Sequence, residues 1–379
     1  MTYKWNLSEI RTKQRYLLER LKNCKDPKEK ELIELSLVSN VSILSNSGSI
    51  LNTRFYNFLD SLTNGKFSLI KHSKYIEMER KILFHNDSFL DNDYLQFLLN
   101  LANNISNDIE EQVPLTKITI RDEDIVKLSK KFYEKLNNPI IEQLAMKILS
   151  DPTAINITNI TRDGFEDFGG ITYNDYVFDK SYINVQRSNT LFDFQVLNHE
   201  VMHGVDFYIH KKIPSKNYFG FHEVPTYTID YLFLDFMEEI GFDSAEVDIL
   251  KRKKMEYLSG LAQITLLQIK NQLIKNKGFK ASINPNIENI KEILTPQILK
   301  QLLEIEAGLI SYGLKLQIDK DKEKGLSNLV LFMNSEIPNN SRPNFSMFGL
   351  SDDTLLKLSQ EYKTQLLNSI KSTNFKKNN

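Results

Sequence analysis

One short segment of the sequence combines residue types and spacing that could hold a metal ion: His199-Glu200-Val201-Met202-His203. Two residues four positions apart lie on the same face of an α-helix, and imidazole is a common zinc ligand. A glutamate beside the first histidine can take a proton from zinc-bound water and later deliver it to a leaving amine. The segment therefore predicts His199 and His203 as zinc ligands and Glu200 as the general base and acid.

A catalytic zinc ion takes three protein ligands and keeps one position for water. We predict Glu223 as the third ligand, because it lies twenty residues after His203 at the start of the next helical run. Pro225 suits the first turn of that helix. Glu238 and Glu239 are alternatives, about four helical turns further along. This ligand set predicts one Zn²⁺ per chain.

On a helix, two further polar residues would lie on the same face as His199 and His203. Asp206 and His210 follow His203 at three and seven residues. Asp206 could orient a ligand imidazole from outside the ligand set, or it could be a solvated aspartate, and both interpretations stay open. We predict that His210 and His222 are surface or loop residues, because three ligands already satisfy the zinc.

The elements that must position these residues are mostly helices. Glycine (14) and proline (10) are scarce, which favours long helices. Residues 190–193 resemble the capping box that begins a helix, and helical periodicity continues through the active-site helices at 190–240. Residues 155–186 are rich in Ile, Thr, Tyr, Val and Phe, and they predict a small sheet. The expected short strands lie near 155–160, 170–173, 176–178 and 182–186. The predicted fold class is therefore mainly α with one small central β-sheet.

The composition excludes several classes of function. The 48 basic and 49 acidic residues give a net charge of −1, which argues against a nucleic-acid or anionic-membrane partner. The single Cys24 excludes an intramolecular disulfide framework and a cysteine-rich zinc site. The sequence has neither an apolar leader nor an apolar run of membrane-spanning length, so we expect a cytoplasmic protein. The sequence does not predict the oligomeric state.

Several segments in a fixed order resemble the thimet oligopeptidase and oligoendopeptidase F family of zinc metallopeptidases. That family shows a glycine-containing strand, a second strand, a spacer with an acidic residue and then the HExxH helix. Here the corresponding segments are Gly169-Gly170-Ile171-Thr172-Tyr173, Tyr182-Ile183-Asn184-Val185, Thr190-Leu191-Phe192-Asp193 and His199 to His203. Glu223 followed by Thr226 fits the family's glutamate ligand, which is followed three residues later by a small hydroxyl residue. The resemblance covers roughly residues 115–355 and is most specific at 169–234.

The resemblance implies a helical shell around a channel, with residues 1–112 forming a reduced N-terminal helical region and residues 113–379 the zinc peptidase region. It implies an endopeptidase that cuts short, unstructured oligopeptides. Tyr182 to Gln186 is the candidate edge strand for binding a peptide backbone. The residues that this likeness places near the substrate or the ligands are Tyr182, Asn184, Tyr227, Tyr312 and Thr226.

The sequence also departs from the family pattern. Met202 stands where members usually have glycine, and Asp206 stands where many have another histidine. The family's His and Tyr pair, which stabilises the tetrahedral intermediate, should fall near 305–318, where this chain has no histidine and only Tyr312. The donor to the oxyanion is therefore open among Tyr173, Tyr227 and Tyr312.

These departures leave two alternative hypotheses. One is a degenerate peptidase scaffold that binds or regulates peptides without turnover. The other is a helical scaffold with an accidental HExxH segment, which would bind no metal. The run of four basic residues at 251–254 is more typical of a solvated helix face than of a nucleic-acid site.

Overall fold

Helices form most of the secondary structure in the computed structural model of the chain. The structure describes residues 3–46, 90–107, 115–158, 169–210, 221–283, 285–335 and 345–377. In chain order, the elements are α1 (Leu7–Asn23), α2 (Pro27–Asn46), α3 (Asn92–Ile105), α4 (Asp122–Leu136), α5 (Pro139–Leu149), β1 (Ile155–Thr158), β2 (Gly170–Asp175), β3 (Lys180–Gln186), α6 (Phe192–His210), α7 (Glu223–Glu239), α8 (Ser244–Lys277), α9 (Phe279–Ile283), α10 (Ile287–Ile293), α11 (Pro296–Lys320), α12 (Lys322–Asn334), a 3₁₀ turn (Phe345–Phe348) and α13 (Asp352–Lys377). The predicted fold class, mainly α with one small sheet, is confirmed.

The first of two compact units is built around the sheet and helix α6. It is formed by the segments Met1–Met78 and Lys117–Ile213. Helix α6 packs against β2, β3, α4 and α5, while α2 packs against β2. Because neighbours surround α6, most of its side chains are buried rather than only one face. This packing holds the histidine-bearing helix tightly against the sheet.

The sheet has three strands in the order β1-β3-β2. Strand β3 pairs in parallel with β1, with Ile155 opposite Ile183, and antiparallel with β2, with Thr172 opposite Ile183. The prediction that Tyr182 to Gln186 forms an edge strand is therefore wrong. Three consecutive buried residues, Tyr182 among them, fit a central strand covered on both faces. Among the described strands, the edges are β1 and β2.

Strands β2 and β3 form a hairpin, and this corrects a second prediction. Residues 176–178, expected as a strand, are part of the turn between the two strands. The Asp175 carboxylate accepts hydrogen bonds from the backbone N–H groups of Val177 (3.3 Å) and Phe178 (3.2 Å). Asp179 completes the turn with a left-handed backbone (φ 48°). The side chain that ends β2 therefore stabilises the turn after it.

The second compact unit consists of Glu79–Thr116 and Pro214–Asn379. In its described part, the regular secondary structure consists of helices. Helix α11 packs against α7, α8, α12 and α3. Its middle is buried, with Leu302, Leu303, Ile305, Leu309 and Ile310 almost inaccessible to solvent. Helix α7, whose first residue is Glu223, is therefore supported along its length by a buried neighbour.

Two other predictions concern the chain as a whole. Among the described residues, no helix combines the length and apolar character needed to cross a membrane. The division into an N-terminal region 1–112 and a catalytic region 113–379 stays a prediction.

Candidate functional site

Helix α6 is fixed at its start by the carboxylate of Asp193. This fully buried side chain accepts hydrogen bonds from the backbone N–H groups of Ser188 (2.7 Å) and Asn189 (3.0 Å). The Thr190 hydroxyl accepts one from the N–H of Phe192 at 3.2 Å. A carboxylate near a helix N-terminus also favours the helix dipole. The helix therefore begins where the sequence predicts, although Asp193 reaches back to 188–189 rather than to Thr190.

The two histidines of α6 lie side by side, one helical turn apart. The ring centroids of His199 and His203 are 4.9 Å apart, and both side chains are partly exposed. The next residue, Gly204, is buried, and a Cβ there would come within 2.6 Å of Ile148 and 3.2 Å of Ser181. The absent side chain lets α6 approach α5 and β3 closely. The two imidazoles keep part of their surface exposed although the helix is packed closely at Gly204.

Glu223 begins helix α7, as predicted. Its Oε2 accepts a hydrogen bond from the Thr226 hydroxyl at 3.0 Å, and its Oε1 lies 2.9 Å from Nε2 of His222. Further along α7, Glu238 pairs with Lys251 at 2.7 Å and is exposed. The structure therefore holds the Glu223 carboxylate through both oxygens and directs Glu238 to solvent.

The donor atoms of His199, His203 and Glu223 converge: one ligand atom from each lies within 4.8 Å of the others. Ligand atoms around a tetrahedral zinc ion are roughly 3.4 Å apart, since each bond is about 2.1 Å long. Small side-chain rotations would close that difference. Two imidazoles and one carboxylate are a donor set suited to catalytic zinc, so these residues fit the metal that the sequence predicts.

Glu200 is buried, with 5% of its surface exposed, and strand β2 lies against it. The Thr172 hydroxyl is 2.7 Å from Glu200 Oε2 and 2.8 Å from the Glu200 carbonyl oxygen. A Cβ on Gly170 would lie only 2.3 Å from Glu200 Cγ. Sequence reasoning missed both contacts, because the partners are about thirty residues apart and no local spacing connects them.

Three other residues that the sequence places at the site, Asp206, Tyr182 and Asn184, belong to the first unit. Asp206 is buried on α6 at 6% exposure. Tyr182 is buried in the sheet, where its hydroxyl accepts a hydrogen bond from Lys13 Nζ at 2.8 Å. The Asn184 side-chain oxygen accepts one from Asn156 at 2.6 Å. The two β3 side chains are thus bound to partners within their own unit.

Tyr227 is one of the tyrosines considered as oxyanion donors, and the structure shows its burial and its hydrogen-bond partner. Tyr227 is buried one turn after Glu223, and its hydroxyl donates to Glu304 at 2.8 Å. Burial first, and then the nearby carboxylate of Glu223, raise the pKa of Tyr227 well above its usual value. Tyr257 donates to the same Glu304 oxygen at 2.6 Å. Sequence reasoning did not identify Glu304 or Tyr257, whose partners lie on other helices.

Tyr312 is buried in an aromatic cluster on α11. Its ring makes edge contacts with Tyr231 (centroids 6.0 Å) and Tyr362 (5.3 Å). Burial raises the pKa of Tyr312 to about 12, so the phenol stays protonated at neutral pH. Tyr173, the third candidate, packs edge-on against Trp5 at 6.1 Å.

Three solved structures resemble this chain. A protein assigned as oligoendopeptidase F of Bacillus anthracis str. Ames aligns with 93% of this chain and 69% of its own, at 12% identity and a TM-score of 0.54. Pz peptidase A with an inhibitor aligns with 97% of this chain and 98% of its own, at 10% identity and a TM-score of 0.55. A protein assigned as a peptidase of Chlamydophila abortus aligns with 78% and 57%, at 15% identity and a TM-score of 0.54.

The sequence itself matches no protein-family model and no curated protein. The likeness is therefore one of fold. The chain has the fold of solved peptidase structures. More narrowly, it has the fold that the oligoendopeptidase F and Pz peptidase structures share, as the order of its sequence segments indicates.

Proposed function

We propose that the protein is a zinc-dependent endopeptidase that hydrolyses peptide bonds in short, unstructured oligopeptides. The observation that carries this proposal is the convergence of the donor atoms of His199, His203 and Glu223 within 4.8 Å. The fold shared with oligoendopeptidase structures supports it. One Zn²⁺ per chain follows from the three-residue donor set.

Each polar residue at the site has a defined task in this proposal. His199, His203 and Glu223 hold the metal, and the Thr226 hydroxyl orients the Glu223 carboxylate through its bond to Oε2. Asp206, buried one turn after His203, is proposed to orient the metal site from outside the ligand set. When bound, zinc supplies a Lewis acid that polarises the scissile carbonyl and lowers the pKa of water.

Glu200 is the group that moves the proton. Its carboxylate accepts a proton from the attacking water and delivers it to the amine nitrogen as the peptide bond breaks. The side chain is almost completely buried, so few water molecules compete for it. It belongs to the same helix as the two histidines, which fixes its backbone beside theirs.

Strand β2 is the proposed site for the substrate backbone, in place of β3. It is an edge among the described strands, and its Gly170 and Thr172 face Glu200. At the other end of β2, the Asn174 carbonyl already accepts a hydrogen bond from Ser39 at 2.7 Å. A peptide that adds a strand near Gly170 would bind through its backbone whatever its side chains are.

A second candidate function is peptide binding without turnover. Two of the three tyrosines considered as oxyanion donors are engaged elsewhere, since Tyr227 donates to Glu304 and Tyr312 is buried among other rings. An enzyme without such a donor would lose roughly 100-fold or more in rate. This candidate predicts that the protein binds peptides and zinc but leaves the peptides intact.

Metal analysis and a peptide-cleavage assay test the proposal together. We expect protein purified without added metal to contain one zinc per chain, and a mixed oligopeptide library to be cleaved in a chelator-sensitive way. Glu200→Gln should retain zinc and lose at least roughly 100-fold in kcat. Zinc binding without cleavage would favour the peptide-binding protein. A wild-type protein that binds no zinc after reconstitution would overturn both candidates and leave an accidental HExxH segment.

A further inference from the structure

Thr172 on strand β2 contacts Glu200 from another element. Its hydroxyl lies within hydrogen-bond distance of two Glu200 oxygens, Oε2 at 2.7 Å and the backbone carbonyl at 2.8 Å. A hydroxyl has one proton to donate, so it bonds to one of the two oxygens at a time. The same atom therefore connects the carboxylate of Glu200 with the backbone of the helix that carries it.

Gly170, also on strand β2, packs against the same Glu200 side chain. Side chains on a strand alternate, so Gly170 and Thr172 lie on one face of β2, the face towards α6. A Cβ on Gly170 would lie 2.3 Å from Glu200 Cγ and 2.8 Å from its Oε1. The carboxyl group therefore rests directly on the Gly170 backbone while the Thr172 hydroxyl holds its other oxygen.

Both contacts belong to a rigid part of the first unit. Thr172 pairs with Ile183, which is fully buried in the central strand. Threonine is β-branched, and its side chain has few rotamers on a strand. The hydroxyl is thus fixed by the sheet rather than by a flexible loop, which is the condition for preorganising a reacting group.

We propose that Thr172 is a positioning residue for Glu200: its hydroxyl holds the carboxylate in the orientation from which it accepts the proton of the attacking water. This role rests on the proposed function, because it concerns the proton transfer of that reaction. A hydroxyl donor bonded to one carboxylate oxygen restricts the rotation of the carboxylate without adding a charge beside it. Thr172 itself neither binds metal nor exchanges a proton with the substrate.

The test compares three variants of the full-length protein with zinc bound. Thr172→Val removes the hydroxyl and keeps the branched shape, Thr172→Ser keeps the hydroxyl, and Thr158→Val is the matched control. Thr158 is on the other edge strand of the described sheet, and its hydroxyl donates a long hydrogen bond to the Val185 carbonyl at 3.5 Å. The measurements are kcat, KM, zinc content and the midpoint of thermal unfolding.

We expect Thr172→Val to lower kcat by roughly 10- to 100-fold, because a misplacement of about 1 Å at a reacting group has effects of that size. KM and zinc content should stay within about twofold, since Thr172 is proposed to position Glu200 and to bind neither substrate nor metal. Thr172→Ser should recover kcat to within roughly threefold of wild type, and Thr158→Val should leave kcat unchanged. A merely structural role would instead change zinc content, KM or the unfolding midpoint along with kcat.

Two further measurements complete the test. In a Glu200→Gln background, Thr172→Val should have no additional effect on kcat, because the two residues act through one group. In a crystal structure of the Thr172→Val protein, the Glu200 carboxylate should be displaced by roughly 1 Å. An active wild type whose kcat is unchanged by Thr172→Val overturns this inference alone. A wild type that binds zinc but cleaves no peptide overturns the proposed function, and with it the role of Thr172.

Discussion

At the scale of single residues, the proposed metal centre depends on the identity of its third donor. Glu223 begins α7 and has an oxygen within 4.8 Å of the histidine donors, whereas Glu238 on the same helix is exposed and pairs with Lys251. We predict that Glu223→Ala loses most of its zinc, because two imidazoles alone hold the ion weakly. Elemental analysis of dialysed protein measures this loss.

Glu238→Ala is the matched control for that experiment, since it removes the same side chain from the same helix. It should keep one zinc per chain. If Glu223→Ala kept its zinc and Glu238→Ala lost it, the third ligand would be the alternative glutamate that the sequence left open.

The Thr226 hydroxyl supplies a second prediction at this scale. It contacts both Oε2 and the carbonyl oxygen of Glu223, at 3.0 and 2.9 Å. Groups that orient a metal ligand typically contribute about 10- to 100-fold to metal affinity. We therefore expect Thr226→Val to weaken zinc binding by about tenfold, as measured by competition with a chromogenic chelator.

Thr228→Val controls for the loss of a buried threonine hydroxyl on the same helix. The Thr228 hydroxyl bonds to the Val224 carbonyl at 2.8 Å and does not contact Glu223. Its replacement should leave zinc affinity within about twofold of wild type. Equal losses in the two variants would mean that Thr226 acts on the stability of α7 rather than on the ligand.

Residue types and spacing indicated the three proposed donors that the structure brings together, but not the side chains that contact the site residues. His199 and His203 could be paired from the sequence because helical geometry relates residues four positions apart. Glu223 could be proposed because it precedes a proline suited to a first helical turn. Thr172 and Glu304 could not be found, since each acts on a residue that only tertiary packing brings near. Contacts between distant elements have no local signal.

At the scale of elements, the close packing of strand β2 against helix α6 makes a glycine necessary. Any side chain at Gly170 would collide with Glu200, whose Cγ is 2.3 Å from the position of a Cβ. We predict that Gly170→Ala displaces the Glu200 carboxylate and lowers kcat by roughly 100-fold. Zinc content should be unchanged, because the displaced side chain is not a ligand; steady-state kinetics and metal analysis measure the two effects.

The neighbouring Gly169 provides a control in the same strand segment. Among the residues that the structure describes, no atom would lie within 4 Å of a Cβ there. Gly169→Ala should therefore keep kcat within about twofold of wild type. Similar losses in both variants would attribute the effect to the flexibility of the glycine pair rather than to contact with Glu200.

The elements themselves were predicted unevenly. The start of α6 was recognisable because the Thr190 hydroxyl accepts a hydrogen bond from the first N–H group of the helix, that of Phe192. The order of the strands in the sheet could not be predicted, because composition does not show which of three short strands is central. Separate strands were expected near 170–173 and 176–178, but the Asp175 carboxylate stabilises a turn at 176–178, and β2 extends to Asp175.

At the scale of the whole molecule, the fold persists although few residues are shared with similar structures. Identities of 10% and 12% accompany TM-scores of 0.55 and 0.54. Buried positions tolerate many combinations of apolar side chains when volume and pattern are kept. We expect the residues proposed to hold the metal to have less of this freedom, because few side-chain types supply zinc ligands.

The stability of the whole molecule should depend on free zinc. The three donors converge only in the folded chain, so a metal bound there stabilises the native state over the unfolded state. At free zinc about 100 times the dissociation constant, the free energy of unfolding should rise by about 2.7 kcal/mol. For a chain of 379 residues, that corresponds to an increase of about 3 °C in the unfolding midpoint.

Thermal unfolding of chelator-treated protein, with and without added zinc, measures this shift. Glu223→Ala should show little of it, because the variant lacks one donor of the folded site, whereas Glu238→Ala should show the full shift. A wild-type midpoint that zinc leaves unchanged, in protein that contains one zinc per chain, would mean that the unfolded chain binds the ion equally well. The ion would then not require the folded arrangement of its donors, and the convergence of the two histidines with Glu223 would not be the basis of the metal site.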